Sequence, residues 1–250
     1  CPAYSDCRMG LSPDKFILSY CDRALGITSA EEQPVLPKGN NLSLHLLELF
    51  TSQVAKVGMT DGIRQVLQEE SDALRAYYEQ AGILIARPAG GTSCRLAISA
   101  KGGTNAENHN HNDVGSYAVA LGSETMVGDQ GGPNSYPGDY FNGDAPQKYK
   151  IKGSFGHPVP VVDGRTQSSG GKAKGVVLQK EFTNEKDVFS IDYTSAYSTP
   201  NLDKLIRTFV YDRQGKGSFT VGDEFTAKTP IRFETAITTR ADWKILDDTH

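Results

Sequence analysis

The spacing of hydrophobic residues changes character near Gly82. Before this residue, apolar positions recur every three or four residues, which is typical of amphipathic helices. The pattern predicts two helices, over Ser43–Lys56 and Asp61–Gln80, with Gly82 as a suitable C-cap of the second. The apolar residues with this spacing are Leu44, Leu47, Phe50, Val54, Ile63, Val66, Leu67, Leu74 and Tyr77.

After Gly82, short segments rich in Val, Ile, Phe, Tyr and Thr alternate with clusters of Gly, Asn, Asp and Lys, which is typical of strands and turns. No helical pattern separates these segments, and this favours an antiparallel sandwich over a parallel α/β sheet. We therefore predict a mainly β fold, with an antiparallel β-sandwich over 83–250 and an α-helical segment over 1–82. The predicted strands are Ile83–Arg87, Arg95–Ala100, Ser116–Leu121, Thr125–Asp129, Val159–Val162, Val176–Phe182, Val188–Thr194, Lys204–Tyr211, Ser218–Phe225 and Ile231–Thr239.

Composition narrows the functional classes. The 250 residues include 26 glycines and only 38% hydrophobic residues, which fits a turn-rich β protein better than a helical bundle. The net charge of −4 gives little support for binding to nucleic acid. No run approaches the roughly 20 apolar residues that would span a membrane. The four cysteines lack metal-site spacing, although a Cys1–Cys7 disulfide is possible.

A dense polar motif stands immediately before the predicted strand Ser116–Leu121. It contains His109 and His111, which alternate with Asn108, Asn110 and Asn112. In an extended backbone the two imidazoles would project to the same side, and the asparagines to the other. Imidazole is the commonest metal ligand and also titrates near neutral pH. One histidine could thus hold a metal while its neighbour faces a substrate.

Two distant residues could complete a metal site with His111. His157 precedes the predicted strand Val159–Val162, and Asp129 ends the strand that follows a predicted hairpin turn at Gly122–Ser123. Two imidazoles and a carboxylate form a suitable zinc site. Because the three ligands lie on separate elements, the alternative is that they are polar loop residues that cap strands.

A long irregular segment, Gln130–Lys152, leads towards His157 and carries several aromatic residues. Loops of this length in compact domains are usually functional or disordered. Near its end, three lysines occupy alternate positions, so a strand would present three ammonium groups on one face. These could bind substrate carboxylates or protect an edge strand from aggregation. The lysines are Lys148, Lys150 and Lys152.

Three segments together resemble the C-terminal β-sheet domain of the heparinase II/III-like polysaccharide lyases. They are His109–Ser116, the hairpin that ends in Asp129-Gln-Gly-Gly132, and Phe155-Gly-His157 before Pro160-Val-Val-Asp-Gly164. The resemblance extends from about Ala81 to the chain end, with its specific part between Gly102 and Gly164. It implies that His109 faces the substrate cleft. It also implies that His111, Asp129 and His157 hold a structural zinc, with Asp113 as the alternative carboxylate.

Enzymes of this family cut uronic acid glycans by β-elimination. The resemblance thus implies an acidic polysaccharide substrate, of heparan or alginate type, and His109 as a catalytic residue. Tyr140 and Tyr149 are candidates for a catalytic tyrosine, since a phenol can transfer a proton when nearby positive charge lowers its pKa. The alternative is that both rings pack beneath a loop. Asn108 and the three lysines are candidate substrate-binding residues, and Asn112 and Gln130 are candidates for orienting the ligand rings.

The family also carries an N-terminal helical toroid, which supplies most of the groups that neutralise the substrate carboxylate. Only a short helical segment precedes Gly82 here, so either this chain has lost that domain or the protein is a stand-alone sheet module. We expect the first, in which case the chain alone is catalytically incomplete. A zinc-dependent glycan hydrolase and a non-catalytic glycan-binding sandwich are the alternative functions. The size of such substrates leads us to expect a periplasmic or extracellular location. The sequence contains no indication of oligomeric state.

Overall fold

The computed structural model describes residues 73–122, 124–133, 135–239 and 242–244. In this part of the chain, thirteen strands and one short helix, α1 (Ala145–Lys148), are formed. Short 3₁₀ turns cover Lys150–Lys152, Ser154–Gly156 and Thr194–Ala196. The strands are β1 (Arg75–Tyr78), β2 (Ile83–Ala86), β3 (Leu96–Lys101), β4 (Thr104–Asn105), β5 (Tyr117–Leu121), β6 (Glu124–Val127), β7 (Pro160–Val162), β8 (Gly170–Lys174), β9 (Val176–Phe182), β10 (Lys186–Asp192), β11 (Leu202–Asp212), β12 (Ser218–Ala227) and β13 (Phe233–Thr235).

Two antiparallel sheets dominate the described residues. The first has five strands in the order β1-β2-β3-β5-β6, and the second has four in the order β12-β11-β10-β9. Two small antiparallel pairs, β13 with β7 and β4 with β8, lie beside them. The prediction of a mainly β sandwich is confirmed.

The inner faces of the two sheets form one hydrophobic core. Successive side chains of a strand point to opposite faces, and in β11 every second residue from Leu205 to Tyr211 is buried. Aromatic rings connect the sheets, since Tyr77 lies 5.7 Å from Phe189 and Tyr117 lies 6.2 Å from Phe209 between ring centroids. These edge-on contacts favour one relative placement of the sheets.

Each of the ten predicted strands overlaps an observed strand, although some bounds differ. The strand predicted over Ile231–Thr239 is reduced to β13, which pairs with β7 in three residue pairs. The sequence analysis did not predict β1, β4 or β8. The loop between β11 and β12 connects two antiparallel strands that pair from Leu202 to Ala227.

The helix predicted over Asp61–Gln80 is wrong in its described part, because Arg75–Tyr78 forms strand β1. Tyr77 stands at helical spacing from Leu74, but a tyrosine also favours a strand, and here its ring packs against Phe182 and Phe189. Gly82 does not cap a helix. It lies in the turn between β1 and β2 with φ +61°, and a Cβ there would stand 2.6 Å from the backbone nitrogen of Gly103. The helix predicted over Ser43–Lys56 and the Cys1–Cys7 disulfide lie outside the described residues.

The strand considered for the segment with the alternating lysines is also wrong. Helix α1, which has a proline in its first turn, is followed by a 3₁₀ turn over Lys150–Lys152. Consequently Lys148 and Lys150 are exposed while Lys152 is buried, and the three ammonium groups do not share a face. Among the described residues, no helix has both the length and the apolar character needed to cross a bilayer.

Candidate metal centre and adjoining cleft

The three predicted metal ligands come together in the folded chain. His111, Asp129 and His157 each place a potential ligand atom within 4.8 Å of the others, and all three side chains are buried. The two imidazole rings lie 5.2 Å apart between centroids. Nδ1 of His157 is 3.3 Å from Oδ2 of Asp129. We refer to these three residues as the buried triad.

Asp129 and His157 stabilise each other's charged forms within the buried triad. Burial alone would raise the pKa of Asp129, but the neighbouring His157 and the backbone N–H of Gly131 outweigh it and lower the pKa. Burial disfavours the charged form of His157, yet Asp129 prevails and raises the pKa of this imidazole. An ionised carboxylate beside a basic imidazole is a charge arrangement in which a divalent cation can replace the proton.

The buried triad fits a zinc ion. Among the described residues, Nε2 of His157 has no hydrogen-bond partner although its side chain is fully buried. An unsatisfied buried nitrogen is costly, and coordination to a metal would satisfy it. Two imidazole nitrogens and one carboxylate oxygen are ligands that zinc prefers. The hydroxyl of Tyr140 lies 3.4 Å from Nε2 of His111 and helps to fix that ring.

Gln167 holds the loops that carry the triad histidines. Its Oε1 accepts hydrogen bonds from Asn105 Nδ2 at 2.9 Å and from the Val114 backbone nitrogen at 3.0 Å. Its Nε2 donates to the Val114 carbonyl at 2.7 Å, and its backbone N–H donates to Oγ of Ser154. Asn112 donates to the backbone carbonyl of Gln167. One buried residue thus connects the segment around His111 with the turn before His157.

Arg207, on β11, fastens the same two segments to the second sheet. Its Nη1 donates to the carbonyls of Gly115, at 2.8 Å, and Pro158, at 2.7 Å. Its Nε and Nη2 form a bidentate pair with Asp223 on β12, at 2.8 and 2.6 Å. Gly115 follows the His109–Asp113 motif, and Pro158 follows His157 directly. The guanidinium therefore fixes the position of both histidine-bearing loops.

His109 lies apart from the buried triad and is exposed to solvent. It lines a cleft of about 480 Å³, a volume within the usual range of ligand sites. The residues that line the cleft are mainly amides and small polar groups, with one phenyl ring, one imidazole, one ammonium group and one carboxylate. They are Asn105, Glu107, Asn108, His109, Asn110, Asn112, Phe141, Asn142, Gly143, Pro146, Lys152 and Ser169.

The extended backbone assumed for the motif is wrong. His109 has φ +58°, a left-handed conformation that histidine tolerates better than most residues. The backbone N–H of Asn110 donates to the carbonyl of Glu107, which closes a turn at this point. As a result His111 points inward to the triad while His109 points to the cleft. The prediction that the two imidazoles project to the same side is therefore wrong, because the turn at His109 directs them apart.

The two candidate tyrosines are not placed as the sequence predicted. Tyr140 is only 1% exposed, and its hydroxyl faces His111 behind the cleft, so it does not meet solvent. Tyr149 donates a 2.5 Å hydrogen bond to Asp139. This hydrogen bond raises the pKa of the Tyr149 phenol, and the smaller influence of Lys148 does not reverse the shift. The expected lowering of a phenol pKa is therefore wrong for Tyr149.

Only some of the candidate substrate-binding residues lie in the cleft. Asn108 and Lys152 line the cleft. Lys148 forms an ion pair with Asp139 outside the cleft lining, and Lys150 also lies outside it. The alternative metal ligand, Asp113, accepts a hydrogen bond from Lys101 at 2.6 Å and is not part of the buried triad.

Asn112 does not orient the imidazole rings as predicted. Its side-chain amide donates to the Gln167 carbonyl and to Oγ of Ser169 instead. Sequence reasoning also missed Gln167 and Arg207, whose partners are distant in the chain and leave no local pattern. Phe141 was visible in the aromatic segment, but its place in the cleft wall depends on the turn at His109.

Comparison with known proteins gives a likeness at the level of fold. No family model matches the chain, and no curated protein matches it. The heparan sulfate lyase HepC from Pedobacter heparinus has a similar structure, with a TM-score of 0.51 and 18% identity over 74% of this chain and 28% of that one. The structure described as the heparinase III-BT4657 gene product has a TM-score of 0.57 and 12% identity, over 83% of this chain and 31% of that one.

This chain has a heparinase-like fold, as its sequence motif indicated. It spans less than a third of the length of these two structures. The identities of 18% and 12% establish the likeness of fold alone.

We expect the buried triad to bind about one zinc ion per chain. His157→Ala removes a ligand and should abolish most of this binding, and it should lower the melting temperature by roughly 5–10 °C. His109→Ala is the matched control, since His109 lies outside the triad, and should retain the zinc. Metal content is measured by inductively coupled plasma mass spectrometry of protein purified at neutral pH.

The zinc content of the protein should also depend on pH. Because the pKa of His157 is raised, protons compete with the metal for this imidazole below that pKa, and zinc content should fall as the pH is lowered. Equal zinc content in both variants, or zinc lost from the His109 variant alone, would contradict the assignment.

Proposed function

We propose that this chain forms the sheet-domain part of a polysaccharide lyase that cleaves uronic-acid-containing glycans, of heparan or alginate type, by β-elimination. The observation that carries the proposal is the separation of the histidines. His109 is exposed on the wall of a polar cleft, while His111 and His157 are buried with a carboxylate. The heparinase-like fold supports the proposal.

β-Elimination requires a base for the C5 proton of the uronate and an acid for the leaving oxygen. It also requires a group that neutralises the uronate carboxylate, because this makes the C5 proton acidic. As a neutral imidazole His109 would take the C5 proton, and as an imidazolium it would stabilise the developing negative charge. Tyr140 is excluded from contact with substrate by its burial.

Lys152 is the cleft residue suited to the substrate carboxylate. Its side chain is 5% exposed, and its ammonium group donates to the Tyr140 carbonyl at 3.0 Å. An ammonium group in a poorly solvated wall interacts more strongly with a carboxylate than one in bulk water. The exposed Lys148, which is paired with Asp139, is not suited to this role.

The role that we assign to zinc is structural. When bound, zinc would crosslink the three segments that carry the buried triad and so hold the cleft wall in place. The hydrolase alternative requires a metal-bound hydroxide that meets the substrate. The burial of all three ligands and the position of Tyr140 beside them argue against that access. A periplasmic or extracellular location belongs to the proposal, because polymeric glycans of this size are degraded there.

We expect His109→Ala in the full-length gene product to reduce lyase activity by roughly a hundredfold to ten-thousandfold, with little change in melting temperature. The assay follows the ultraviolet absorbance of unsaturated uronate ends over a panel of uronate polysaccharides. New reducing ends without this absorbance would indicate hydrolysis and contradict the proposal. Full activity of the variant would remove His109 from the mechanism.

We expect Lys152→Met to raise KM by roughly tenfold or more, because a charge-assisted hydrogen bond to the uronate carboxylate is lost. Methionine keeps the length and apolar contacts of the aliphatic part of the lysine side chain. Lys148→Met is the matched control, and it should change KM by no more than about twofold, since an exposed ion pair contributes little. Initial rates over a range of substrate concentrations give both constants. An equal rise in KM in the two variants would exclude a specific role for Lys152.

A further inference from the structure

Phe141 is a large apolar side chain that is 52% exposed, and it lines the cleft beside His109. We propose that Phe141 is the platform on which one pyranose ring of the glycan stacks. The identity of the glycan as a uronate polymer rests on the proposed function, whereas the stacking rests on the ring and its surroundings.

The Phe141 ring is held in a defined orientation by its aromatic neighbours. Tyr140 packs against it at 5.3 Å between centroids, with an interplanar angle of 84°. Tyr136 lies at 5.1 Å and 45°, and the His109 imidazole meets it edge-on at 5.1 Å and 77°. A ring fixed in this way loses little conformational entropy when a ligand covers it, which favours binding.

The charge next to Phe141 suits an acidic sugar. Nζ of Lys152 lies 5.2 Å from the centroid of the Phe141 ring and 4.5 Å from that of Tyr140. The ammonium group is thus held by aromatic rings at the cleft wall. A uronate that stacks its C–H face on Phe141 would lie close to the ammonium group of Lys152 and to the imidazole of His109. Stacking on Phe141 therefore places the sugar beside the residue proposed as the base and the residue proposed to neutralise its carboxylate.

Phe155 provides a comparison within the same chain. It lies in the 3₁₀ turn before His157 and is 58% exposed, but it is not among the residues that line the cleft. Exposure alone therefore does not distinguish Phe141. Its distinguishing features are the cleft, the fixed orientation and the adjacent ammonium group.

The test measures glycan binding separately from cleavage. Phe141→Leu, Phe141→Tyr and Phe155→Leu are each introduced into the full-length His109→Gln protein, so that turnover does not consume the ligand while a planar amide still packs beside Phe141. The probes are heparan sulfate-derived and alginate-derived octasaccharides, and Kd is measured by isothermal titration calorimetry. Leucine keeps apolar volume but removes the flat face, while tyrosine preserves it.

We expect Phe141→Leu to weaken binding of one probe by roughly five- to tenfold. Phe141→Tyr should keep the Kd within about twofold of the parent value, and Phe155→Leu should leave the Kd unchanged. Proton NMR gives a second readout, because sugar C–H protons above an aromatic face shift upfield. This shift should be present with Phe141 or Tyr and lost with Leu. Zinc content and melting temperature verify that the buried triad is intact in each variant.

Four outcomes separate the possibilities. Equal Kd values for Phe141→Leu and Phe155→Leu would overturn the stacking, as would an upfield shift that survives Phe141→Leu. Failure of the parent protein to bind either probe would also overturn it. Binding that depends on Phe141, together with no unsaturated ends from the protein with His109 intact, would support the stacking platform while β-elimination itself failed.

Discussion

The site depends on the hydrogen bonds that the buried guanidinium of Arg207 forms. A buried charge is costly unless it is paired and fully hydrogen-bonded. Arg207 meets this requirement through Asp223 and the carbonyls of Gly115 and Pro158. These carbonyls belong to segments outside the strands, and one follows the His109–Asp113 motif while the other follows His157. The second sheet therefore determines where the histidine-bearing loops of the molecule lie.

Once these loops are fixed, the separation of the imidazoles follows. Gln167 forms hydrogen bonds with both the backbone N–H and the carbonyl of Val114, and its own N–H donates to Ser154. These bonds give the turn at His109 a defined geometry. His111 is then directed inward, beside His157, and His109 outward. Tyr140 lies between the two environments, with its hydroxyl on the metal side and its ring against Phe141 on the cleft side. A structural change in the buried triad should therefore displace side chains that line the cleft.

The sequence predicted the sandwich because strand alternation and turn residues are local signals, as β9 illustrates with identical predicted and observed bounds. It also identified the triad residues from their ligand types and from the predicted hairpin that ends at Asp129, and the folded chain brings these three side chains together. Residue spacing predicted the wrong secondary structure where contacts between distant parts of the chain determine it. Tyr77 fits a helix by period, yet β1 is held by pairing with β2. Tyr149 and the lysines were misplaced because α1 and the turn after it replace the strand that alternation suggested.

The most direct test of this account is anomalous diffraction from crystals of the zinc-loaded protein, recorded on both sides of the zinc absorption edge. The account predicts an anomalous peak bounded by His111, Asp129 and His157, with His109 in the cleft and away from the metal. A peak at His109, or no peak at the triad in protein that carries stoichiometric zinc, would contradict the division between a structural metal site and a histidine that faces the substrate.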